Sequence, residues 1–300
     1  MNIGTKEIDR KVDETEGRAR VLTGWQLQLV ALVAFIWSLF QLWYASPLPF
    51  IVGFGVLIDV PARAIHLGFA LFLTFLSFPF LKRDRRKKFG LINFCLAIVA
   101  FFCTFYLFYN YEALVYRNGI LLTHEINIFG RQFNFPTELI LGMFGILLLL
   151  ESTRRAIGTP LVIVALIFLL YSIFGQSMPE MISHQGLSPK RLVGYHWFGG
   201  EAIFGIPISV SVSFVFLFVL FGSMLDFAGG GRYFLSLALA LVGKFRGGPA
   251  KASILASGLT GMISGSSIAN VVTTGTFTIP IMKKTGFPAV KAGAIEVAAS

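Results

Sequence analysis

Long apolar runs constrain this chain more than any other feature of its sequence. Six runs of about 17–25 residues are long enough to cross the hydrocarbon core of a bilayer as helices. They are Trp25–Tyr44, Ala62–Leu81, Phe89–Tyr109, Phe135–Glu151, Pro160–Gln176 and Ile203–Phe227. A chain with several such runs folds as a polytopic bundle of helices, because only helices or closed barrels satisfy the backbone inside lipid. The sequence therefore predicts an all-α integral membrane protein.

Composition excludes the other classes of protein. Charged residues make up 13% of the 300 residues and apolar residues 55%, with a mean hydropathy of +0.76. So few charges cannot cover the surface of a water-soluble globular domain of this size, and so much apolar area cannot stay solvated in a disordered chain. The two cysteines, Cys95 and Cys103, lie on one predicted helix about 12 Å apart along its axis, which excludes a disulfide between them.

The distribution of basic residues predicts the orientation. With the N-terminus inside, 17 Lys and Arg residues lie on the cytoplasmic side and five on the opposite side. Such an asymmetry follows the positive-inside rule, so the polar leader, residues 1–24, is expected to be a cytoplasmic tail. We attribute the net charge of +10 to this rule and to lipid headgroups, and expect no nucleic-acid partner.

Ionisable groups inside the predicted spans are scarce. Asp59, Glu138, Glu151 and Asp226 all fall at span ends, where a carboxylate is expected to snorkel to the interface or cap a helix. Of the four histidines, only His66 falls within a predicted span, near its start. No series of buried carboxylates or histidines marks a proton pump.

The chain changes character after Ile203. A run of three glycines, Gly229–Gly231, interrupts the sixth span, and the segment Arg232–Phe245 carries basic residues at both ends around a leucine-rich middle. Fourteen residues of helix extend only about 21 Å, which is too short to cross. We therefore predict an interfacial helix lying along the cytoplasmic face, after which Gly247, Gly248 and Pro249 turn the chain back toward the membrane.

A re-entrant hairpin is predicted at residues 250–284. Lys251 and Lys283 bracket two apolar arms, Ala250–Ile263 and Ser267–Met282, each too short to span comfortably. A hairpin returns to the side it entered, so both basic ends can stay in the cytoplasm. The tip between the arms, Ser264–Ser267, is rich in glycine and hydroxyl groups, and irregular backbone at membrane depth is tolerated only when it is buried in protein or lines a cavity.

Such a tip has the chemistry of an ion site. The first arm ends there with free carbonyls and the second begins with free N–H groups, which suit a cation and a carboxylate respectively. Ser266, Asn270 and Thr273 or Thr274 recur at helical spacing and give the second arm a polar stripe. The alternative is that these small residues, with Gly258, Gly261 and Gly265, only allow close helix packing. The same residues can both bind an ion and allow close helix packing.

The segment from Ala240 onward, ALVGKFRGGPAKASILASGLTGMISGSSIANVVTTGTFTIPIMKKTGFPAVKAGAIEVAAS, resembles the fused membrane subunit of tripartite ATP-independent periplasmic (TRAP) transporters, which implies a bacterial or archaeal cytoplasmic (inner) membrane. The resemblance extends over Gly229–Ser300 without gaps, and GSSIANVVTTGTFTIP is its most specific part. The earlier spans resemble a small TRAP subunit fused to the large one, in the branch whose partner is a TAXI-type binding protein. The resemblance implies three regions: the tail, a four-helix small-subunit-like domain at residues 25–158, and the start of an elevator-type transport domain at 159–300.

The resemblance implies ion-gradient-driven import, usually with Na⁺, of an organic anion such as a carboxylate, which a periplasmic TAXI-type protein delivers. No enzymatic activity and no cofactor besides the coupling ion are expected. The site residues carried over are those of the hairpin tip and second arm: Ser264, Gly265, Ser266, Ser267, Asn270, Thr273 and Thr274. Among them Ser264, Ser266 and Asn270 are the expected Na⁺ ligands.

Two alternatives remain at this point. A membrane enzyme would need a convergent nucleophile, base or metal set, which the hairpin sequence does not offer. A structural or assembly subunit fits residues 1–158 but does not explain a glycine-broken hydroxyl hairpin. The family layout also implies a second hairpin beyond Ser300, so these residues are expected to hold half of the site and to need the remaining C-terminal half of the permease as a partner.

The predicted orientation can be tested by cysteine labelling in intact cells. A cysteine in place of Arg85 should be protected from an impermeant thiol reagent added outside, because its loop is expected to be cytoplasmic. A cysteine in place of Asn127 should label. Labelling at residue 85 from outside would reverse the topology.

Overall fold

A computed structural model describes residues 19–20, 22–80, 89–117, 120–128, 131–262 and 267–300. The chain divides into two compact units, of which one is Arg18–Ser213 and the other contains Phe214–Ser300. The predicted tail lies almost wholly outside the described residues.

Helices dominate the first unit. In chain order these are α1 (Trp25–Ala45), α2 (Leu48–Val52), α3 (Asp59–Ser77), α4 (Leu91–Tyr116), α5 (Thr137–Ala156), α6 (Thr159–Ile173), α7 (Pro189–Val193) and α8 (Ile206–Val210). Short 3₁₀ turns at Gly175–Ser177 and Glu180–Ile182 follow α6, and π-helical turns at Gly194–Phe198 and Ser211–Val215 follow α7 and α8.

The second unit contains α9 (Phe216–Phe227), α10 (Gly230–Val242), α11 (Gly248–Gly261), α12 (Ser267–Lys284) and α13 (Ala289–Ala299). The glycines before α10 and α11, Gly229 and Gly247, have φ of 92° and 73°, in the left-handed region that a residue without Cβ adopts readily. The helix breaks predicted at these glycines are therefore confirmed. A helix also forms at the predicted interfacial segment, as α10, but it ends at Val242 instead of Phe245, and its interfacial position stays a prediction.

The prediction of an all-α membrane fold is confirmed. Four helical segments among the described residues are long and apolar enough to cross a membrane: Trp25–Ala45, Asp59–Ser77, Leu91–Tyr116 and Ile206–Leu225. The other two predicted spans also form helices. Of these, α6 is apolar but has only 15 residues, and α5 carries two glutamates and two arginines at its ends. Both cysteines lie on α4 and are free.

Packing in the first unit centres on α3, which lies against α1, α4 and α5. Small residues such as Ala62 and Ala64 let the neighbouring helices approach, and Leu71 and Phe75 fill the space between them. Helix α6 shows the opposite pattern, because most of its large apolar side chains are exposed in the isolated chain. They are Leu161, Ile163, Val164, Leu166, Ile167, Phe168, Leu170 and Ile173. An apolar surface of this kind is what a lipid-facing helix presents.

The carboxylate of Glu138 departs from the prediction of a snorkelling or capping group. It is fully buried and accepts two hydrogen bonds from the Arg117 guanidinium, at 2.8 and 3.0 Å. Tyr106 donates a third at 2.9 Å and the backbone N–H of Leu122 a fourth at 2.6 Å. The prediction was wrong because Arg117 is distant in sequence, and only folding supplies the counter-charge that makes burial of a carboxylate tolerable. Glu151 pairs with Arg154 and Arg155, and Asp59 with Arg63.

An antiparallel β-hairpin, which the sequence reasoning did not predict, follows α4. Its strands are β1 (His124–Ile128) and β2 (Arg131–Phe135), and His124 pairs with Phe135 at the open end. This hairpin forms the connection between α4 and α5. It contains Asn127, which was predicted to lie on the periplasmic side.

Two glycines of α5 allow a close approach to the π-helical turn. A Cβ on Gly145 would lie 2.3 Å from two carbon atoms of the Trp197 ring, and one on Gly142 would lie 2.3 Å from Val193 Cγ1. Trp197 is fully buried, so its ring has little room to move. These glycines therefore set the distance between α5 and the turn.

Gly145→Ala should destabilise the permease by about 1–3 kcal/mol, as overpacking of a filled core does. Gly293→Ala on α13 is the matched control, since no described atom lies within 4 Å of the added Cβ. Thermal unfolding of the detergent-solubilised protein should show a lower Tm for the first variant and an unchanged or slightly higher Tm for the second. Equal Tm values would contradict this account of the α5 packing.

Candidate functional site

The two arms of the predicted hairpin are α11 and α12, and they pack against each other. The first arm has 14 residues, the predicted length, and the second has 18, which is two more than predicted. Asn270, near the start of α12, contacts Ser257, near the end of α11, so the arms run antiparallel. A third helix, α13, packs against both arms.

Asn270 joins the arms through its side-chain amide. Its Nδ2 donates to the backbone carbonyl of Ser257 at 3.1 Å and contacts the Ser257 hydroxyl at 3.2 Å. Asn270 is only 2% exposed, and its Oδ1 has no hydrogen-bond partner among the described residues. An unpaired buried carbonyl oxygen costs about 1–3 kcal/mol, so a ligand that binds Oδ1 recovers this energy.

The polar stripe on α12 is confirmed at Asn270 and Thr274, and it continues one turn further to Thr278. All three side chains are buried. Their four-residue spacing places them on one face of the helix. On α11, Ser253, Ser257 and Thr260 are also buried, so hydroxyl groups of both arms turn away from solvent.

The structure describes only some of the other predicted site residues. Ser264, Gly265 and Ser266 lie outside the described residues, as does the side chain of Thr273. Ser267 begins α12 and is exposed. The structure therefore brings together Asn270 and Thr274, while the tip itself stays a prediction.

The alternative of helix packing receives mixed support from the two described glycines of α11. A Cβ on Gly261 would lie 3.3 Å from Asn270 Nδ2, so this glycine does allow a close approach. Gly258 has no described atom within 4 Å of its Cβ position. Packing alone accounts for Gly261 but gives no reason for the unpaired oxygen of Asn270.

Glu296 on α13 was missed by the sequence reasoning. It is fully buried, and its carboxylate accepts hydrogen bonds from Ser253 on the first arm and from Thr274 and Thr278 on the second. The available signals were a single carboxylate within the small-residue segment AGAIEVAAS, and Thr278 at the next four-residue step of the stripe.

A surface depression of about 880 Å³ lies elsewhere, in the first unit. Tyr111, Arg191 and Tyr195 are among its lining residues. None of the predicted site residues that the structure describes lines it.

The hairpin geometry predicts where its outer ends lie. Lys251 and Lys284 are exposed and sit at the ends of the two arms that are distant from Asn270. Cysteines at these two positions should therefore label from the same side of the membrane in cells that express the complete permease. Labelling from opposite sides would show that the segment crosses the bilayer.

Comparison with known proteins points to one transporter family. Residues 144–300 match the family model described as "Tripartite ATP-independent periplasmic transporter, DctM component". A protein of Salmonella typhimurium named "Uncharacterized protein YgiK" is 30% identical over 169 residues, which cover 56% of this chain and 34% of that protein. The "C4-dicarboxylate TRAP transporter large permease protein DctM" of Rhodobacter capsulatus is 38% identical over 71 residues, covering 24% of this chain and 16% of that protein.

The protein y4mL of Sinorhizobium fredii is likewise 38% identical over 71 residues. The chain thus spans about a third of the length of the first relative and about a sixth of the length of the other two. No solved structure matches significantly.

Proposed function

Because the chain belongs to the DctM component family of tripartite ATP-independent periplasmic transporters, we propose that it is a membrane permease component that imports an organic anion with a cation gradient. The proposed coupling ion is Na⁺, the proposed substrate is a carboxylate, and the proposed partners are a TAXI-type periplasmic binding protein and the C-terminal half of the permease. The relative from Rhodobacter capsulatus, whose name specifies C4-dicarboxylates, supports the carboxylate class.

The observation that carries the cation proposal is the unpaired Oδ1 of Asn270. It lies on the first turn of the second arm, and the Nδ2 contacts with Ser257 hold the amide in one orientation. Na⁺ is a hard cation that replaces its hydration shell with carbonyl and hydroxyl oxygens, and broken helices at membrane depth supply both. Ser264 and Ser266 are the proposed further ligands.

Substrate and cation have different positions in this proposal. The carbonyl end of α11 favours a cation, and the N–H end of α12 favours the carboxylate of an anion. Ser267, Thr273 and Thr274 belong to the part of α12 that the proposal assigns to substrate and ion binding. Packing alone leaves this oxygen without a partner among the described residues, at a cost of about 1–3 kcal/mol.

Asn270→Ala should weaken the dependence of transport on Na⁺. Removing one oxygen ligand of a partly dehydrated cation costs about 1–3 kcal/mol, which corresponds to a rise of roughly 5- to 150-fold in the Na⁺ concentration for half-maximal uptake. Ser266→Ala should act in the same direction. The measurement is uptake against Na⁺ concentration in proteoliposomes that contain the complete permease and its binding protein.

Two further variants serve as controls. Ser257→Ala removes a hydroxyl contact of Asn270 but leaves Oδ1 and the Ser257 carbonyl in place, so its effect should be much smaller. Ser38→Ala removes a hydroxyl whose one hydrogen bond among the described residues is to the carbonyl of Ala34 in its own helix, and should leave uptake unchanged. If Asn270→Ala and Ser266→Ala both express normally and keep the wild-type Na⁺ dependence, the polar stripe serves packing alone.

A further inference from the structure

Glu296 ties three helices together through one buried carboxylate. The Ser253 hydroxyl on α11 donates to Oε2 at 2.6 Å, and the Thr278 hydroxyl on α12 donates to the same oxygen at 2.6 Å. The Thr274 hydroxyl, also on α12, donates to Oε1. Both arms of the hairpin are therefore fixed to α13 at a single residue.

The carboxylate has no counter-charge among the described residues. Every lysine and arginine in the described part of the second unit is exposed, including Lys251 on α11, Lys284 on α12 and Lys291 on α13 itself. Glu296 forms none of the ion pairs found among the described residues, whereas the buried Glu138 of the first unit is paired with Arg117. A buried charge is expensive unless an opposite charge compensates it, so an uncompensated carboxylate favours a cation nearby.

Hydrogen bonds connect Glu296 to the proposed cation ligand. The Thr274 hydroxyl that bonds Glu296 also lies 2.7 Å from the backbone carbonyl oxygen of Asn270. On the first arm, Ser253 lies one helical turn from Ser257, which holds the Asn270 amide. Glu296 thus bonds one residue on each arm, Ser253 on α11 and Thr274 on α12, and each of these lies one helical turn from the Ser257–Asn270 contact.

We propose that Glu296 is a positioning residue for the coupling cation: it fixes both hairpin arms to α13 and supplies the negative charge that compensates a cation bound at Asn270. This inference rests on the proposed function of the hairpin as a Na⁺ site. It assigns Glu296 no direct contact with the ion.

Glu296→Gln is the decisive variant because it keeps the shape of the side chain and removes its charge. The fold should tolerate it, since the hydroxyls of Thr274 and Thr278 each have a second acceptor, the carbonyl four residues earlier in α12, at 2.7 and 3.0 Å. The matched control is Lys291→Gln, which changes one exposed charge on the same helix.

The experiment uses the complete permease with its binding protein, and it has two readouts. Glu296→Gln should raise the Na⁺ concentration for half-maximal uptake by roughly tenfold or more, with a smaller change in the rate at saturating Na⁺. It should also reduce the rise in Tm that Na⁺ produces in the detergent-solubilised protein. Lys291→Gln should match the wild type in both.

Failure of the proposed function and failure of the role proposed for Glu296 give different experimental results. If wild-type uptake does not depend on Na⁺, the proposed coupling ion is wrong, and the proposed function fails whatever the Glu296 variant does. If Glu296→Gln lowers the Tm or the maximal rate but keeps the wild-type Na⁺ dependence, Glu296 is only a structural link and the inference is overturned.

A second variant covers the case in which Glu296→Gln does not fold. Thr278→Val removes one donor to the carboxylate while keeping its size, and should raise the half-maximal Na⁺ concentration a few-fold. A wild-type value in a stable Thr278→Val protein would overturn the inference as well.

Discussion

In a bilayer, a backbone N–H or carbonyl that leaves a helix must find its partner in the protein, because the hydrocarbon offers none. This constraint explains why most of the described chain is helical. It also makes the break between α11 and α12 the most informative place in the molecule, because a helix interrupted there needs polar groups to compensate it. The arms supply them: Asn270 caps a carbonyl of the first arm, and the hydroxyls of both arms converge on Glu296.

The sequence predicted the features that depend on local pattern. Apolar runs gave the helices, and glycines gave the breaks before α10 and α11, because each depends on residues close together in the chain. The four-residue spacing of Asn270 and Thr274 likewise gave the buried stripe on α12. Features that depend on pairing between distant residues were not found. Glu138 looked like an interfacial carboxylate until folding brought Arg117 to it.

Glu296 shows the same limit at the candidate site. In sequence it is one carboxylate near the end of a small-residue helix, without a periodic partner. Its importance arises only when α13 packs against both arms, so that Ser253 and Thr278, 25 residues apart, contact the same oxygen atom. The Asn270 oxygen is a similar case. Its spacing predicted a polar face, but only the packed arms show that the amide nitrogen is occupied and that the oxygen has no partner in the described part of the chain.

The most direct test of the central claim is a cryo-EM structure of the complete permease in NaCl and in choline chloride. The account predicts density for an ion beside Asn270 Oδ1 in NaCl and its loss in choline, with the Glu296 carboxylate still bonded to both arms. A protein N–H or hydroxyl donating to Oδ1 in both conditions would contradict the account, because the oxygen that carries the cation proposal would already be satisfied.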